Sequence, residues 1–121
     1  MILADTSVHV DFLRKGDANF ARALTAGQIL THPFVIGEIA LGHLKNRAEI
    51  LGLLQSLPKA SVAEDAETLA FIETNKLHGR GIGYVDAHLL AAARLSDALL
   101  WTRDKRLLAV ARDMSLAANL N

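Results

Sequence analysis

Four acidic residues in the sequence have the chemistry of a metal site, namely Asp5, Glu38, Asp86 and Asp104. Mg²⁺ prefers oxygen ligands, keeps several of its waters and takes only a few carboxylates from a protein. A metal held in this way can polarise a phosphoryl oxygen, lower the pKa of a bound water and stabilise a leaving oxygen. The four acids therefore predict metal-assisted phosphodiester hydrolysis without a nucleophilic side chain, and they leave open whether one ion or two bind.

Glu38 is the most informative of these acids on physical grounds. Its neighbours from Phe34 to Leu41 are almost all apolar, and no Lys or Arg lies within one helical turn. Burying an ionised carboxylate without a partner costs several kcal/mol, so a buried acid is usually paired with a cation or ligates a metal. We therefore expect Glu38 to be buried and to bind a metal, with a solvated position between turns as the alternative.

The three aspartates also have an ordinary structural interpretation. Asp is among the preferred N-cap residues of helices, and it suits the positive end of the helix dipole. Asp5, Asp86 and Asp104 each stand at the start of a predicted helix, so each one taken alone is either a cap or a metal ligand.

The composition indicates one globular domain over residues 1–121. Hydrophobic residues make up 51% of the chain and charged residues 21%, which is enough to bury a core and is not typical of disorder. The 13 basic residues balance 13 acidic ones, so a nucleic-acid partner would have to be held locally. The chain has no cysteine, no leader-like start and no long apolar run, so we expect a cytoplasmic protein without a membrane segment.

Short apolar segments alternate with helical periods along the chain. Strands separated by helices favour a mainly parallel sheet with helices on both faces, which is a three-layer α/β/α fold. Strands are predicted over residues 2–5, 28–31, 60–63 (the weakest) and 98–102; helices are predicted after Asp5, over 18–26, from Pro33 with a period that persists to Pro58, over 64–77, over 84–95 and from Asp104.

The predicted sheet brings the acids together. Loops at the carboxyl ends of parallel strands meet on one edge, where open α/β folds bind their ligands. Asp5 follows the first strand and Asp104 follows the last, and Asp86 begins a helix after a loop that contains Gly79, Gly81 and Gly83. We therefore expect these acids on one rim of the sheet.

Four stretches of the sequence, taken together, resemble the signature regions of VapC-type toxins of the PIN-domain family. They contain the four acids in the family's order and cover the whole chain. They are Met-Ile-Leu-Ala-Asp-Thr-Ser at 1–7, Thr-His-Pro-Phe-Val-Ile-Gly-Glu at 31–38, Gly-Tyr-Val-Asp-Ala-His-Leu at 83–89 and Trp-Thr-Arg-Asp-Lys-Arg-Leu at 101–107.

The resemblance implies a PIN-like fold and an endoribonuclease that depends on Mg²⁺, with Mn²⁺ as a substitute. Such proteins cut structured cellular RNA, often transfer or ribosomal RNA, and arrest growth until a VapB antitoxin blocks them. The resemblance makes Asp5 and Asp86 direct metal ligands and lets Glu38 and Asp104 act through water. It assigns supporting roles to Thr6, Ser7 and Thr102.

The resemblance also implies a homodimer and an antitoxin helix that docks on the apolar residues 34–44 and 51–54, with DNA contacted only through the antitoxin. Basic residues near the acids are candidates for RNA phosphate contacts, and a solvated position is the alternative for each. They are Arg80, Arg103, Lys105 and Arg106.

The five histidines and Asp11 are expected to lie outside the metal site. The five histidines show no paired metal spacing, and His88 lies two residues after Asp86 and so points to another helix face. Asp11 is interpreted as a solvated helix residue rather than a fifth ligand.

Two other classes of protein remain as alternatives. A receiver-like Mg²⁺-binding signalling domain would need a pair of acids after the first strand, whereas Thr6 and Ser7 follow Asp5 here. A catalytically silent binding module would be indicated by a missing acid, and none is missing.

Overall fold

The computed structural model describes residues 1–121 as three short strands and seven helices. The strands are β1 (Ile2–Ala4), β2 (Ile29–Leu30) and β3 (Leu99–Trp101). The helices are α1 (Thr6–Lys15), α2 (Ala18–Thr25), α3 (Pro33–Ala40), α4 (Arg47–Ser56), α5 (Asp65–Thr74), α6 (Tyr84–Leu95) and α7 (Lys105–Asp113). None of these helices has the length and apolar content to cross a bilayer.

The sheet is entirely parallel, with strand order β2-β1-β3. The chain leaves β1 for β2 on one side and later returns to β3 on the other, so a topological switch point lies at the carboxyl end of β1. Open α/β sheets bind ligands in the crevice at such a point. Asp5 follows β1 directly and Thr102 follows β3 directly, so both stand at this crevice.

The side chains of the strands alternate between two separate cores, because successive residues of a strand face opposite ways. Leu3, Leu30 and Leu100 belong to the larger core, and the neighbouring Ala4 and Trp101 belong to the smaller one. Burying each such leucine contributes about 1.5–3 kcal/mol. Apolar packing on both faces of the sheet confirms the three-layer α/β/α prediction.

The prediction of one continuous helical segment from Pro33 to Pro58 is wrong, because the structure has two helices there. Helix α3 ends at Ala40, and α4 begins at Arg47 after Asn46, whose φ of 54° is left-handed. Asn tolerates that conformation better than most residues, so it can turn the chain here. Gly42 and Asn46 were the sequence signals of this break.

The weak strand predicted over residues 60–63 is also absent. One parallel bridge pairs Lys59 with Thr31 instead. The Thr31 amide donates to the Pro58 carbonyl at 2.8 Å, and the Ala60 amide donates to the Thr31 carbonyl at 2.9 Å. Pro58 has no N–H, so the ladder cannot extend through it, and the sheet stays at three strands.

Candidate active site

Asp5 is a buried carboxylate whose hydrogen-bond partners are all neutral. It caps α1, since its Oδ1 accepts from the Val8 amide at 3.3 Å and from the Ser7 hydroxyl at 2.5 Å. Its Oδ2 accepts from the Thr102 hydroxyl. Only 6% of Asp5 is exposed, and burial raises its pKa above the usual range although the Ser7 and Thr102 hydrogen bonds oppose the rise. The ionised form of Asp5 therefore lacks a compensating positive charge.

Two hydroxyl side chains tie the loops after β1 and β3 together at this point. Thr102 Oγ1 donates to Asp5 and accepts from the Asp104 amide at 3.1 Å. Ser7 Oγ likewise donates to Asp5 and accepts from the Arg103 amide at 3.0 Å. The structure thus places Ser7 and Thr102, both predicted as supporting residues, where they fix the orientation of the Asp5 carboxylate.

Asp86 lies in the first turn of α6, and its Oδ2 accepts from the Gly83 amide at 3.0 Å. Its pKa is raised, first by burial and then by the negative charges of Asp104 and Glu38. Asp104 is exposed and caps α7, where its Oδ1 accepts from the Leu107 amide at 2.9 Å. Glu38 and Asp104 thus lie near enough to Asp86 for their charges to disfavour its ionised form.

The prediction that Glu38 is buried is wrong, because its side chain is exposed. Helix α3 turns Val35 and Ile39, one helical turn apart, into the core, and this leaves Glu38 on the outer side. Glu38 Oε1 accepts from the Thr6 hydroxyl at 2.5 Å, which joins α3 to the residue directly after Asp5. Glu38 therefore lies beside the other acids despite its exposure.

The two interpretations of the aspartates are compatible. Asp5 and Asp104 are helix N-caps, and Asp86 binds a backbone amide at the start of its helix. Helix α1 follows β1 and helix α7 follows β3, so the residues that cap these two helices meet at the carboxyl edge of the sheet. We call Asp5, Glu38, Asp86 and Asp104 the acid rim.

The donor set of the acid rim fits a hard divalent cation. None of its members forms an ion pair with Lys, Arg or His, whereas other aspartates of the chain do. The hydrogen bonds to Glu38, Asp86 and Asp104 each engage a single carboxylate oxygen. No three His, Asp or Glu side chains converge closely enough to enclose an ion by themselves. An ion bound at the rim would therefore have to keep several of its own waters, as Mg²⁺ does.

The sequence predicts that Arg103 contacts RNA. In the structure its guanidinium forms ion pairs with two carboxylates of the protein. Its Nη1 binds Asp11 at 2.8 Å and its Nη2 binds Asp17 at 2.5 Å, and the group lies 5.7 Å from the centre of the Trp101 ring. The Arg103 hydrogen bond lowers the pKa of Asp11, and the Phe20 amide and then Arg103 lower the pKa of Asp17. The two carboxylates raise the pKa of Arg103. Asp11 is thus an ion-pair partner at the surface of α1, and RNA contact by Arg103 stays a prediction.

The other basic candidates lie around the loop before α6 and the start of α7. Arg80 binds Asp113 at 2.7 Å. Lys105 is exposed in the first turn of α7. The Arg106 side chain lies against Gly81, where an added Cβ would approach its Cδ to 2.9 Å. Lys105 and Arg106 thus directly follow Asp104, and Arg80 lies in the loop before α6. Contact of these three residues with RNA stays a prediction.

Sequence reasoning missed a hydrogen-bond network around the buried His88, on another face of α6 than Asp86. His88 Nδ1 lies 3.2 Å from the Thr68 hydroxyl, and His88 Nε2 lies 3.0 Å from Asp65 Oδ1. The Tyr84 hydroxyl donates to the same Asp65 oxygen at 2.7 Å. His88 is 2% exposed, so its role is structural, in line with the interpretation from the sequence. The available signal was the four-residue spacing of Tyr84 and His88, which puts them on one helix face.

A groove of about 580 Å³ runs between α1, α3 and the loop that leads to α4. Its apolar lining includes Val10 and Leu13, each 37% exposed, together with Ile39 and Ile50. Glu38 lines the same groove, so an occupant of the groove would reach the acid rim.

Comparison with known proteins identifies relatives over nearly the whole chain. A family model described as PIN domain matches residues 2–113. Ribonuclease VapC32, from two strains of Mycobacterium tuberculosis, is 43% identical over 118 residues, which cover 97% of this chain and 95% of the relative.

Solved structures show the same fold at lower sequence identity. FitAB bound to the IR36 DNA fragment superposes with a TM-score of 0.65 at 23% identity, over 93% of this chain and 91% of that chain. PAE2754 from Pyrobaculum aerophilum gives a TM-score of 0.60 at 21% identity, over 90% of this chain and 78% of that chain. FitAcB from Neisseria gonorrhoeae gives 0.59 at 19% identity, over 93% and 94%.

Proposed function

The chain belongs to the PIN-domain family as a VapC-type member, and we propose that it is a metal-dependent endoribonuclease that acts as the toxin of a toxin–antitoxin pair. The observation that carries this proposal is the acid rim, where four carboxylates lie at one edge of the sheet and none of them forms an ion pair with Lys, Arg or His. The 43% sequence identity to a ribonuclease, over 97% of this chain, supports RNA as the substrate.

In this proposal Asp5 and Asp86 hold Mg²⁺ or Mn²⁺ directly, and Glu38 and Asp104 act through water. The ion supplies Lewis-acid polarisation of the phosphate and a water of lowered pKa. The protein residues supply placement. Thr102 and Ser7 donate to Asp5 and hold its carboxylate in one orientation, and Thr6 does the same for Glu38. Pre-positioned ligands avoid a rearrangement when RNA binds.

RNA phosphates are repelled by the negative charge of the acid rim, so basic groups are needed nearby to bind them. Lys105 and Arg106 follow Asp104 directly, and Arg80 lies in the loop before α6. We propose that these residues, with Arg103, offset the repulsion and bind phosphates. The substrate is proposed to be structured cellular RNA such as transfer or ribosomal RNA.

We propose a VapB antitoxin as the protein partner, with its helix in the groove between α1 and α3. The apolar lining suits the apolar face of a helix, and the proximity of Glu38 would let a bound antitoxin cover the acid rim. The DNA in the FitAB structure is bound by that complex, and it is not evidence of DNA binding by this chain alone. For this chain we propose a homodimer in the toxin–antitoxin complex and DNA contact through the antitoxin alone.

Cleavage of RNA tests the proposal directly. Purified protein is incubated with total RNA and Mg²⁺, with and without a chelator, and fragment ends are mapped to identify the substrate. Asp86→Asn keeps an acceptor for the Gly83 amide but removes a charge, and we expect it to abolish cleavage. Asp97→Asn is the matched control at the other end of α6, since Asp97 has a φ of 50° that Asn accepts. Cleavage that survives chelation or Asp86→Asn would refute the assigned site, and a protein that cuts no RNA would favour a binding module.

A further inference from the structure

The side chain of Asn121 contacts three consecutive residues where β3 ends. Its Oδ1 accepts from the Trp101 indole Nε1 at 2.7 Å and from Arg103 Nε at 3.4 Å. Its Nδ2 donates to the Thr102 carbonyl at 2.7 Å. These partners define the orientation of the amide group, because the opposite orientation would set its NH₂ group against two N–H donors. We call Trp101, Thr102 and Arg103 the β3 exit.

The chain after α7 runs alongside β3 and in the same direction. Leu100 and Ala117 form a parallel bridge. The Leu100 amide donates to the Leu116 carbonyl at 2.6 Å, and the Ala118 amide donates to the Leu100 carbonyl at 2.9 Å. Segments that pair in parallel reach the same edge of a sheet. This pairing therefore brings Asn121, which follows shortly after the bridge, to the carboxyl edge where the acid rim lies.

Each residue of the β3 exit also contacts Asp5 or the serine that holds its carboxylate. The Trp101 carbonyl accepts from the Asp5 amide at 3.0 Å, and the Thr102 hydroxyl donates to Asp5 Oδ2. The Arg103 amide donates to Ser7 Oγ at 3.0 Å, and Ser7 in turn donates to Asp5 Oδ1. The β3 exit is thus held by the asparagine on one side and orients Asp5 on the other.

The contacts of the β3 exit lie largely away from solvent. Trp101 and Thr102 are fully buried, and Asp5 is nearly so. Buried polar groups are costly when they lose their partners. Removal of the Asn121 side chain would leave the Trp101 indole N–H without its acceptor and the Thr102 carbonyl without this donor. A shift of the β3 exit toward water would relieve both, and such a shift would move the groups that orient Asp5.

We propose that Asn121 is a positioning residue of the acid rim, which acts through the β3 exit on the Asp5 carboxylate and so raises the affinity of the rim for a divalent cation. This inference rests on the proposed function and adds to it a residue outside the four signature stretches. Groups that directly orient a metal ligand change metal affinity or activity roughly 10- to 100-fold. Asn121 acts one contact further out, so we expect a smaller effect, roughly 3- to 10-fold.

Three variants separate positioning of Asp5 from general anchoring of the chain. Asn121→Ala removes all three contacts of the side chain. Asn121→Asp keeps the acceptor for the Trp101 indole and loses the donor to the Thr102 carbonyl. Asn19→Ala is the matched control, because Asn19 Nδ2 donates to the neighbouring Leu120 carbonyl at 3.4 Å and does not contact the β3 exit. Thermal melting identifies any variant that is unfolded.

The first measurement is hydrogen exchange of the metal-free protein by NMR, which requires no RNA. Trp101 is the single tryptophan of the chain, so its indole N–H gives one signal. The Asp104 amide donates to the Thr102 hydroxyl, and the Arg103 amide donates to Ser7, so these two amides report on the groups that orient Asp5.

In Asn121→Ala the indole N–H and both reporting amides should exchange roughly 2- to 10-fold faster, as expected for the loss of one hydrogen bond. In Asn121→Asp the indole should stay protected while the two amides exchange faster. Asn19→Ala should match the wild type at all three groups. Faster exchange of the indole alone in Asn121→Ala would reduce Asn121 to an anchor of the chain and overturn the proposal.

The second measurement is titration with Mn²⁺, followed by calorimetry. Asn121→Ala should raise the Kd for Mn²⁺ roughly 3- to 10-fold, and Asn19→Ala should leave it near the wild-type value. Thr102→Val removes the hydroxyl between the β3 exit and Asp5, so Asn121→Ala should have a smaller effect in that background than in the wild type. Unchanged Mn²⁺ affinity in a folded Asn121→Ala protein, or full additivity with Thr102→Val, would overturn the proposal.

These measurements keep the inference separate from the proposed function. A wild-type protein that binds Mn²⁺ but cuts no RNA would contradict the ribonuclease activity, and weaker Mn²⁺ binding in Asn121→Ala would still support the role of Asn121. A wild type that binds Mn²⁺ and cuts RNA, with an Asn121→Ala variant of equal Mn²⁺ affinity, would refute this inference alone. A wild type that binds no Mn²⁺ would refute both.

Discussion

Aspartates of two regions, the acid rim and a cluster around Arg103, have opposite electrostatic surroundings. In the acid rim, burial and neighbouring carboxylates raise the pKa of Asp5 and Asp86. In the ion-pair cluster formed by Asp11, Asp17 and Arg103, the guanidinium lowers the pKa of Asp11, and the Phe20 amide together with the guanidinium lowers the pKa of Asp17. The residue type is the same, and the two groups differ in burial and in the presence of a cation.

This contrast separates acids that hold the structure together from acids that await a ligand. A carboxylate with an arginine is already neutralised, so it gains little from a metal. A half-buried carboxylate beside other acids gains a great deal, because a cation removes both the desolvation cost and the mutual repulsion. The surroundings of an acid therefore indicate its function better than its position on a helix does.

The largest expected effect compares Asp5→Ala with Asp11→Ala in the cleavage assay. Loss of a direct metal ligand should lower kcat at least about 100-fold, the equivalent of a few kcal/mol of transition-state stabilisation. Asp11→Ala should stay within about twofold, the size of an ordinary surface effect. Asp5→Asn, which retains an N-cap, should lose as much activity as Asp5→Ala. Comparable losses in Asp5→Ala and Asp11→Ala would show that the two regions are not distinct.

Arg103→Ala tests the ion-pair cluster by leaving two acids without their cation. We expect the free energy of unfolding to fall by about 1–3 kcal/mol, since both pairs are partly shielded from solvent. Arg112→Ala, on the exposed side of α7, serves as the control and should change it by less than about 0.5 kcal/mol. Urea titration measures both, and equal values for the two variants would remove the structural role of Arg103.

Metal binding should stabilise the folded protein through the acid rim and not through the ion-pair cluster. At a Mg²⁺ concentration tenfold above its Kd, the free energy of unfolding should rise by about 1.4 kcal/mol, which raises Tm by several degrees. Asp86→Asn should lose this shift and Asp17→Asn should keep it. A Tm shift that is the same in both variants would indicate that Mg²⁺ binds elsewhere.

The smallest expected effect is a difference in pH dependence without metal. Asp5 and Asp86 have raised pKa values in the folded state, so the native protein holds their protons longer than the unfolded chain. The free energy of unfolding therefore decreases as pH rises from about 3.8 through the raised values. Asp11 and Asp17 have lowered pKa values, and their contribution is lost as pH falls below about 3.8.

Denaturant titrations at a series of pH values separate the two contributions. Asp86→Asn should flatten the decrease on the neutral side, and Asp17→Asn should flatten the loss on the acidic side. The opposite assignment, with Asp86→Asn acting only below pH 3.8, would contradict the raised pKa of Asp86.

The sequence predicts the sheet edge because local patterns decide it. The apolar segments that end at Asp5 and near Thr102 are strands, and their parallel pairing puts both residues on one rim. The prediction for α6 was confirmed in its bounds, Tyr84–Leu95, since a glycine-rich loop and a long helical period define it. The PIN-like fold followed from the four signature stretches together.

Features that depend on tertiary packing were harder to predict. Apolar neighbours in sequence suggested a buried Glu38, but the face of α3 that turns inward is set by where α1 and α4 lie. The ion pairs of Arg103 join residues 92 and 86 positions apart, and no local pattern announces such a contact. The shared hydrogen-bond partner of Tyr84 and His88 was likewise hidden, because Asp65 lies on a different helix.

The double use of the aspartates as caps and as acids of the rim has a consequence for mutational history. Asn caps a helix about as well as Asp, so Asp→Asn at position 5 or 104 preserves the backbone hydrogen bond to Val8 or Leu107. A single-nucleotide change in an aspartate codon produces this substitution. Under the proposed function, a cell could therefore disarm the protein in one step and keep a folded chain that still occupies its antitoxin.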